Sequence, residues 1–238
     1  MKLSIDVENR KIEFDVEYRK RKTMSIQIKR EGMVLVIAPK GLSKETIKEV
    51  VKSKGKWICK KLDEFKEIGY KPENRSFVDG ELFMYLGEKY PLKIELHDGG
   101  IKRPDVMFFQ DAIYIRTSKD DAELLKKAME KWYRERCLAT ITERVEYYKH
   151  LVGKEPNKIR VKEQKKRWGS CTSRGDLLFN WRCIMAPLDI IDYIVVHEMC
   201  HLIHMNHSKE YWKTVEAVIP DYKERREWLK KYGVFLDI

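Results

Sequence analysis

The chain has 238 residues, of which 43% are hydrophobic and 37% are charged, and its formal net charge is +11 at pH 7. These values are typical of a soluble globular protein with one or two domains, and they exclude an intrinsically disordered chain. No apolar run approaches the roughly 20 residues that cross a bilayer, so no membrane association is expected. The five cysteines form no C-x-x-C pair and follow no secretion signal, which indicates reduced thiols and a cytoplasmic location.

The excess of positive charge is a first functional indication. It is compatible with a polyanionic partner, a nucleic acid or a nucleotide, that binds the basic surface. A surface rich in lysine and glutamate is also typical of the solvated faces of thermophilic proteins. The charge alone therefore does not assign a partner.

The first 43 residues are predicted to form β-structure, because apolar and polar residues alternate in three short runs. These runs are residues 11–18, 24–28 and 33–37. The basic cluster Arg19–Lys22 lies between the first two runs, where it forms either a solvated hairpin loop or a group that binds phosphate. A turn is predicted at residues 31–32. Ser43 is expected to cap one helix that continues to about Phe65.

Four more strands and one long helix are predicted in the middle of the chain. The strands are residues 81–86, 90–96, 106–109 and 112–115, and the helix runs from Lys119 to about Leu151. A loop is expected at residues 70–76 and a turn at 98–100. A boundary near residue 118 would then divide a β-rich N-terminal region with one helix, residues 1–118, from a helical domain, residues 119–238. The predicted fold class is α+β.

A hairpin of two strands, Lys158–Lys162 and Leu177–Ile184, is predicted to lead into the next helix. Asn180 and Arg182 are two residues apart, so both are expected on one face of the second strand. If that face meets a substrate cleft, the two residues bind substrate, and the Arg182 guanidinium stabilises an oxyanion or a carboxylate. In the alternative, both side chains only anchor the hairpin.

The most informative motif is an H-E-x-x-H sequence, His197-Glu198-Met199-Cys200-His201, which follows an apolar run that begins at Pro187 and is expected to form a buried helix. Residues four apart lie on one face of a helix, so His197 and His201 can bind one metal ion. Glu198 directly follows His197, so its carboxylate can act on a water molecule bound to the metal. Three protein ligands and one water form a catalytic zinc site, so a third ligand is required.

The third ligand is expected among the residues that follow. His204 lies seven residues after His197, so on a continuing helix it would be about 10 Å further along the axis, too far to share one ion. His207 follows Asn206, a residue common at helix ends, and a turn there would return His207 to the metal. Ser208 can then cap a next helix whose apolar stripe is Tyr211, Trp212, Val215 and Val218. The alternative third ligand is a carboxylate: Glu210, Glu216 or Glu224.

Five segments of the C-terminal half together resemble the YgjP-like metallopeptidase family, a branch of the zincins related to the SprT-like peptidases. They are Trp168–Cys171, Asn180–Arg182, His197–His201, Asn206–Ser208 and Trp212. The helix with Lys56-Trp57-Ile58 also resembles the family, so the resemblance extends over most of the chain. It implies a zinc ion on His197, His201 and His207, with Glu198 as the general base. It also implies a zincin-like domain with a small sheet beside the metal helix.

Three functions are compatible with these motifs. The first is a zinc peptidase that cleaves a peptide or protein substrate, with Glu198 moving the proton between the attacking water and the leaving amine. The second is a nucleoside triphosphate pyrophosphohydrolase, described for some proteins that resemble this family. Such chemistry normally uses Mg²⁺ held by carboxylates, whereas imidazoles favour zinc. The third is a basic nucleic-acid-binding protein with a structural zinc, which would have no use for Glu198.

Overall fold

A computed structural model describes residues 1–29, 32–67, 75–97, 99, 102–164 and 167–238, except for the side chain of residue 65. The predicted loop at residues 70–76 and the predicted turns at 31–32 and 98–100 lie partly outside these ranges. The chain forms two compact units, Met1–Glu73 and Asn74–Ile238. Helices and small mixed sheets occur in both, which confirms the α+β class. Within the described residues, no helix is both long and apolar enough to span a bilayer.

The described residues of the first unit form one four-stranded sheet and two helices. Its elements are β1 (Lys2–Val7), β2 (Arg10–Arg19), β3 (Ser25–Ile28), β4 (Val34–Pro39), α1 (Lys44–Ser53) and α2 (Gly55–Glu67). The strand order is β1-β2-β4-β3, with β2 and β4 parallel and the other pairs antiparallel. The three strands predicted here from alternation are confirmed as β2, β3 and β4. Ile47, Val51 and Ile58 of the helices are fully buried in the core that these strands share.

The single helix predicted from Ser43 to Phe65 is wrong, because the structure has two helices there. Ser43 caps α1 as predicted, and its hydroxyl accepts a hydrogen bond from the Thr46 amide. The chain leaves helical geometry at Lys54, and α2 begins at Gly55. A Cβ at Gly55 would lie 2.5 Å from the Val7 Cγ2 atom, so only glycine allows the backbone to approach β1 this closely.

The described residues of the second unit form two further sheets and four α-helices. The first sheet consists of β5 (Leu82–Tyr85), β6 (Glu88–Leu96), β7 (Asp105–Phe109) and β8 (Ala112–Thr117), and the second of β9 (Lys158–Lys162), β10 (Gly169–Cys171) and β11 (Asp176–Asn180). The helices are α3 (Ala122–Val152), α4 (Leu188–Cys200), α5 (Lys209–Val218) and α6 (Tyr222–Tyr232), with 3₁₀ helices at Trp181–Met185 and Gly233–Phe235. The strand orders are β5-β6-β8-β7 and β10-β11-β9.

The boundary predicted near residue 118 differs from the observed division, which lies between Glu73 and Asn74. The strands β5 to β8 share one hydrophobic core with α3 and α4. The rings of Tyr85 and Trp132 are 5.0 Å apart, and the Tyr133 hydroxyl donates a hydrogen bond of 2.7 Å to the Met84 carbonyl. Because these contacts bury the faces of both elements, the four strands belong with the long helix.

The predicted hairpin is also corrected. The strands β9 and β11 are parallel neighbours, and the hairpin is formed by β10 and β11. The last strand ends at Asn180, whose side-chain oxygen accepts a hydrogen bond from the Arg182 amide and caps the 3₁₀ helix Trp181–Met185. Asn180 and Arg182 therefore do not share a strand face.

The helix α4 lies in the core of the second unit. Its N-terminal turn follows Pro187, and most of its residues are buried, as predicted from its apolar sequence. The Arg144 guanidinium of α3 donates two hydrogen bonds, of 2.5 and 3.0 Å, to the Asp192 carboxylate of α4. This bidentate pair is largely buried, so it specifies how α4 is oriented against α3.

Candidate metal centre

Three imidazoles converge where α4 ends. His197 lies in the last turn of the helix, His201 is its C-cap residue, and the following turn returns the chain so that His207 faces them. One ligand atom from each of the three lies within 4.8 Å of the others. The Nε2 atoms of His197 and His207 are 3.2 Å apart. The turn predicted between His201 and His207 therefore exists, although the helix ends before His204.

The geometry of these nitrogens fits a metal ion. Two nitrogens bound to one tetrahedral ion at about 2.0–2.1 Å are separated by about 3.3 Å, close to the observed distance. The Nδ1 atom of His201 is 2.9 Å from the His204 carbonyl, which assigns the proton to Nδ1 and leaves Nε2 free as a ligand. His197 Nδ1 is buried with no hydrogen-bond partner among the described residues. A metal bound at Nε2 would offset the unfavourable burial of that imidazole.

The other predicted ligands are not part of this group. The backbone carbonyl of His204 is hydrogen-bonded to His201 Nδ1, but the His204 imidazole is not among the clustered ligand groups. In the described part of the chain, the cluster contains none of the three glutamates considered as a third ligand. Glu216 instead pairs with Lys223 at 3.3 Å, and Glu210 lies in the first turn of α5. The geometry favours His207 as the third ligand.

Glu198 lies beside the three histidines and is only 5% exposed. Its side chain lies directly against Gly169, the first residue of β10. A Cβ at Gly169 would lie 2.5 Å from the Glu198 Cγ atom and 2.6 Å from Oε1. Glycine is therefore required for the strand to pack against this carboxyl group, a contact that spacing along the sequence does not reveal.

Burial shifts the proton affinities of the site. It raises the pKa of Glu198 to about 8, although the Arg167 guanidinium acts in the opposite direction. Burial, with smaller contributions from His201 and His207, lowers the pKa of His197 to about 3. The pKa of His207 is also lowered, mainly by partial desolvation of its imidazole, although the residue is more exposed than His197. His197 and His207 are therefore neutral at physiological pH, as metal ligands must be, and the carboxyl group of Glu198 exchanges a proton near neutrality.

The stability of the metal-free protein is expected to decline, relative to Glu198→Gln, as the pH rises from about 5 to about 8. The folded carboxyl group keeps its proton up to a pKa of about 8, whereas the ordinary pKa of a glutamate, expected in the unfolded chain, is 4.5. The unfolded state binds fewer protons in this interval, so the free energy of unfolding should fall by about 1.4 kcal/mol for each pH unit. Urea unfolding of both proteins with a chelator measures the difference, and a difference independent of pH would contradict the shift.

A cavity of about 530 Å³ contains the three histidines and Glu198. Gly169, Ser170 and Cys171 of β10 also line it. β10 is an edge strand, paired on one side with β11 and with no second neighbour among the described strands. The backbone beside Glu198 thus includes strand positions that can accept a further strand.

Asn180 and Arg182 do not line this cavity. The Asn180 amide donates hydrogen bonds to the carbonyls of Gln164, at 2.8 Å, and Arg167, at 3.3 Å. Arg182 donates to Asp237 at 2.6 Å and to Glu163 at 3.2 Å. The expectation that both residues face the cleft from one strand is wrong, and their contacts match the alternative, in which they anchor the local structure.

Several residues around the histidines were not singled out from the sequence as part of the site. Arg167 and Tyr193 line the cavity, and Tyr211 and Trp212 contact the imidazoles. Tyr211 and Trp212 were predicted as an apolar stripe, and Tyr211 is indeed fully buried. Their contacts with the histidines depend on how α5 packs against α4, for which the sequence contains no local signal.

Comparison with known proteins found one family. A family model described as YgjP-like, metallopeptidase domain, matches residues 22–232, a range that contains Glu198 and the three histidines. A comparison with curated proteins found no match. Among solved structures, the metallopeptidase zymogen of Pyrococcus abyssi abylysin is 23% identical; the match covers 38% of this chain and 93% of that chain, with a TM-score of 0.35. A likeness this low has no bearing on fold or function.

Proposed function

Because the chain belongs to the YgjP-like metallopeptidase family, we propose that it is a zinc-dependent peptidase with His197, His201 and His207 as metal ligands and Glu198 as the general base. The observation that carries the proposal is the convergence of three imidazole nitrogens within 4.8 Å of one another, in the same cavity as the buried Glu198. Three protein ligands leave a fourth position open, which is the arrangement of catalytic rather than structural zinc sites.

Zinc is a metal that suits this donor set. Neutral imidazoles suit zinc, whereas Mg²⁺ and Ca²⁺ require oxygen ligands. When bound, zinc would polarise the scissile carbonyl and lower the pKa of a coordinated water to about 7. His201 would bind through Nε2, since its Nδ1 is held by the His204 carbonyl.

Glu198 supplies the proton transfers. In the metal-free protein its pKa of about 8 results mainly from burial, and a nearby cation would stabilise the carboxylate. The carboxylate oxygen accepts a proton from the attacking water and then returns it to the leaving amine. Packing against Gly169 restricts where the carboxyl group can lie, so the acceptor atom is held in place before substrate binds.

The substrate in this proposal is an extended peptide. Residues of the edge strand β10 line the cavity, so a peptide in the cavity can pair with β10 as an added strand. Backbone hydrogen bonds to residues 169–171 would hold the scissile bond beside Glu198. Recognition through the backbone requires a peptide and not a nucleotide.

The proposal is tested by peptide cleavage that depends on the metal. The zinc-loaded full chain, incubated with a mixture of unstructured peptides, is expected to produce fragments detected by mass spectrometry. Activity should stop with 1,10-phenanthroline, persist with the non-chelating 1,7 isomer, and return when zinc is restored. Cleavage that survives metal removal, or a zinc-loaded protein that cleaves no peptide in the mixture, would contradict the proposal.

The structure gives less support to the two other functions. Triphosphate chemistry normally uses Mg²⁺ held by carboxylates, and Glu198 is the only carboxylate among the described residues that line the cavity. A structural zinc site would be closed by a fourth protein ligand, and the cluster found in the described residues has three.

A further inference from the structure

His207 differs from the other two histidines in how it is held. It is exposed, and it lies in the segment between α4 and α5 rather than in a helix. His201 is oriented by the hydrogen bond of its Nδ1 with a backbone carbonyl. For His207, the only hydrogen-bond contact within the described part of the chain joins its Nε2 to Nε2 of His197. Its orientation must therefore come from other contacts.

Two aromatic side chains of α5 supply those contacts. The rings of His207 and Trp212 are stacked, with centroids 5.5 Å apart and an interplanar angle of 24°. Tyr211 meets the His207 ring edge-on, with centroids 4.8 Å apart and an angle of 77°. One aromatic ring thus faces the imidazole plane and another lies at an angle to it, which restricts both the position and the tilt of His207.

Both aromatic side chains are themselves held. Trp212 stacks on Tyr222 of α6 at 5.2 Å, and the Arg226 guanidinium lies 4.9 Å over the Trp212 ring. Tyr211 is fully buried, and its hydroxyl donates a hydrogen bond of 2.9 Å to the His197 carbonyl. Contacts with α6 therefore hold Trp212, and a hydrogen bond to α4 holds Tyr211.

We propose that Trp212 is a positioning residue for the third metal ligand, which it holds by stacking on the His207 imidazole so that the site is formed before the metal binds. The inference rests on the proposed metal site. Removing the indole would leave His207 in an exposed segment without its stacking partner, and metal binding would then have to order the side chain. Residues that orient a ligand typically contribute 10–100-fold to metal affinity.

Zinc affinity of the metal-free full chain, measured by competition with a chromophoric chelator, tests this role. Trp212→Ala is expected to weaken affinity about 10–100-fold, and Trp212→Phe, which keeps a stacking ring, should restore most of it. Trp228→Ala is the matched control, because Trp228 packs on Tyr232, at 5.3 Å, and does not line the cavity. Unchanged affinity in a folded Trp212→Ala protein, or an equal loss in Trp228→Ala, would overturn the inference.

A double-mutant cycle separates positioning from a general loss of structure. If Trp212 acts through His207, then Trp212→Ala should cause little further loss of zinc affinity in a His207→Ala background. An additional loss as large as in the wild-type background would overturn the positioning role. A wild type without zinc affinity would instead contradict the metal site itself, so the two failures are distinguishable.

Discussion

Glu198→Gln is expected to slow peptide hydrolysis by at least about 100-fold while leaving the metal in place. The carboxamide has nearly the same shape as the carboxyl group, so it fits against Gly169, where a larger side chain would not. It cannot accept the proton of the attacking water, and the loss of a general base typically lowers the rate by a factor of about 10²–10⁴. The three imidazoles are unchanged, so zinc content should equal that of the wild type.

The measurement is the initial rate of peptide cleavage, together with the zinc content of the same preparation. Glu210→Gln is a matched control, because it makes the same chemical change at an exposed residue of α5 and should leave the rate unchanged. A Glu198→Gln protein that binds zinc and cleaves at the wild-type rate would remove Glu198 from the mechanism.

Elements with a strong local signal could be predicted from the sequence. Alternation predicted most of the strands, and the apolar run after Pro187 predicted the buried helix α4. The cap at Ser208 is confirmed, since its hydroxyl accepts a hydrogen bond from the Tyr211 amide. The three histidines could be found because four-residue spacing and a following turn are local properties of the chain.

Features that depend on distant contacts could not be predicted in this way. The strands β9 and β11 pair in parallel, although β10 lies between them in the sequence. Arg182 is held by Asp237, 55 residues away, so its role as an anchor could not be read from its position two residues after Asn180. The break before Gly55 lies where the helix backbone approaches Val7 of β1, a contact between residues 48 positions apart.

The same distinction applies within the site. The position of Glu198 next to His197, a proposed metal ligand, could be read from the sequence, but not its burial against Gly169 of β10. The stacking of Trp212 on His207 arises because α5 packs beside the end of α4. The residues for which we propose direct chemical roles are thus close in sequence, whereas those that contact them come from several elements.

The zinc content of purified wild type, His207→Ala and His204→Ala, measured by elemental analysis, tests the three-histidine site most directly. About one zinc per chain is expected in the wild type and in His204→Ala, whose imidazole lies outside the cluster. His207→Ala should lose the zinc or bind it far more weakly, because only two protein ligands remain. A wild-type protein that neither contains nor takes up zinc would contradict the account, and full retention by His207→Ala would exclude His207 as the third ligand.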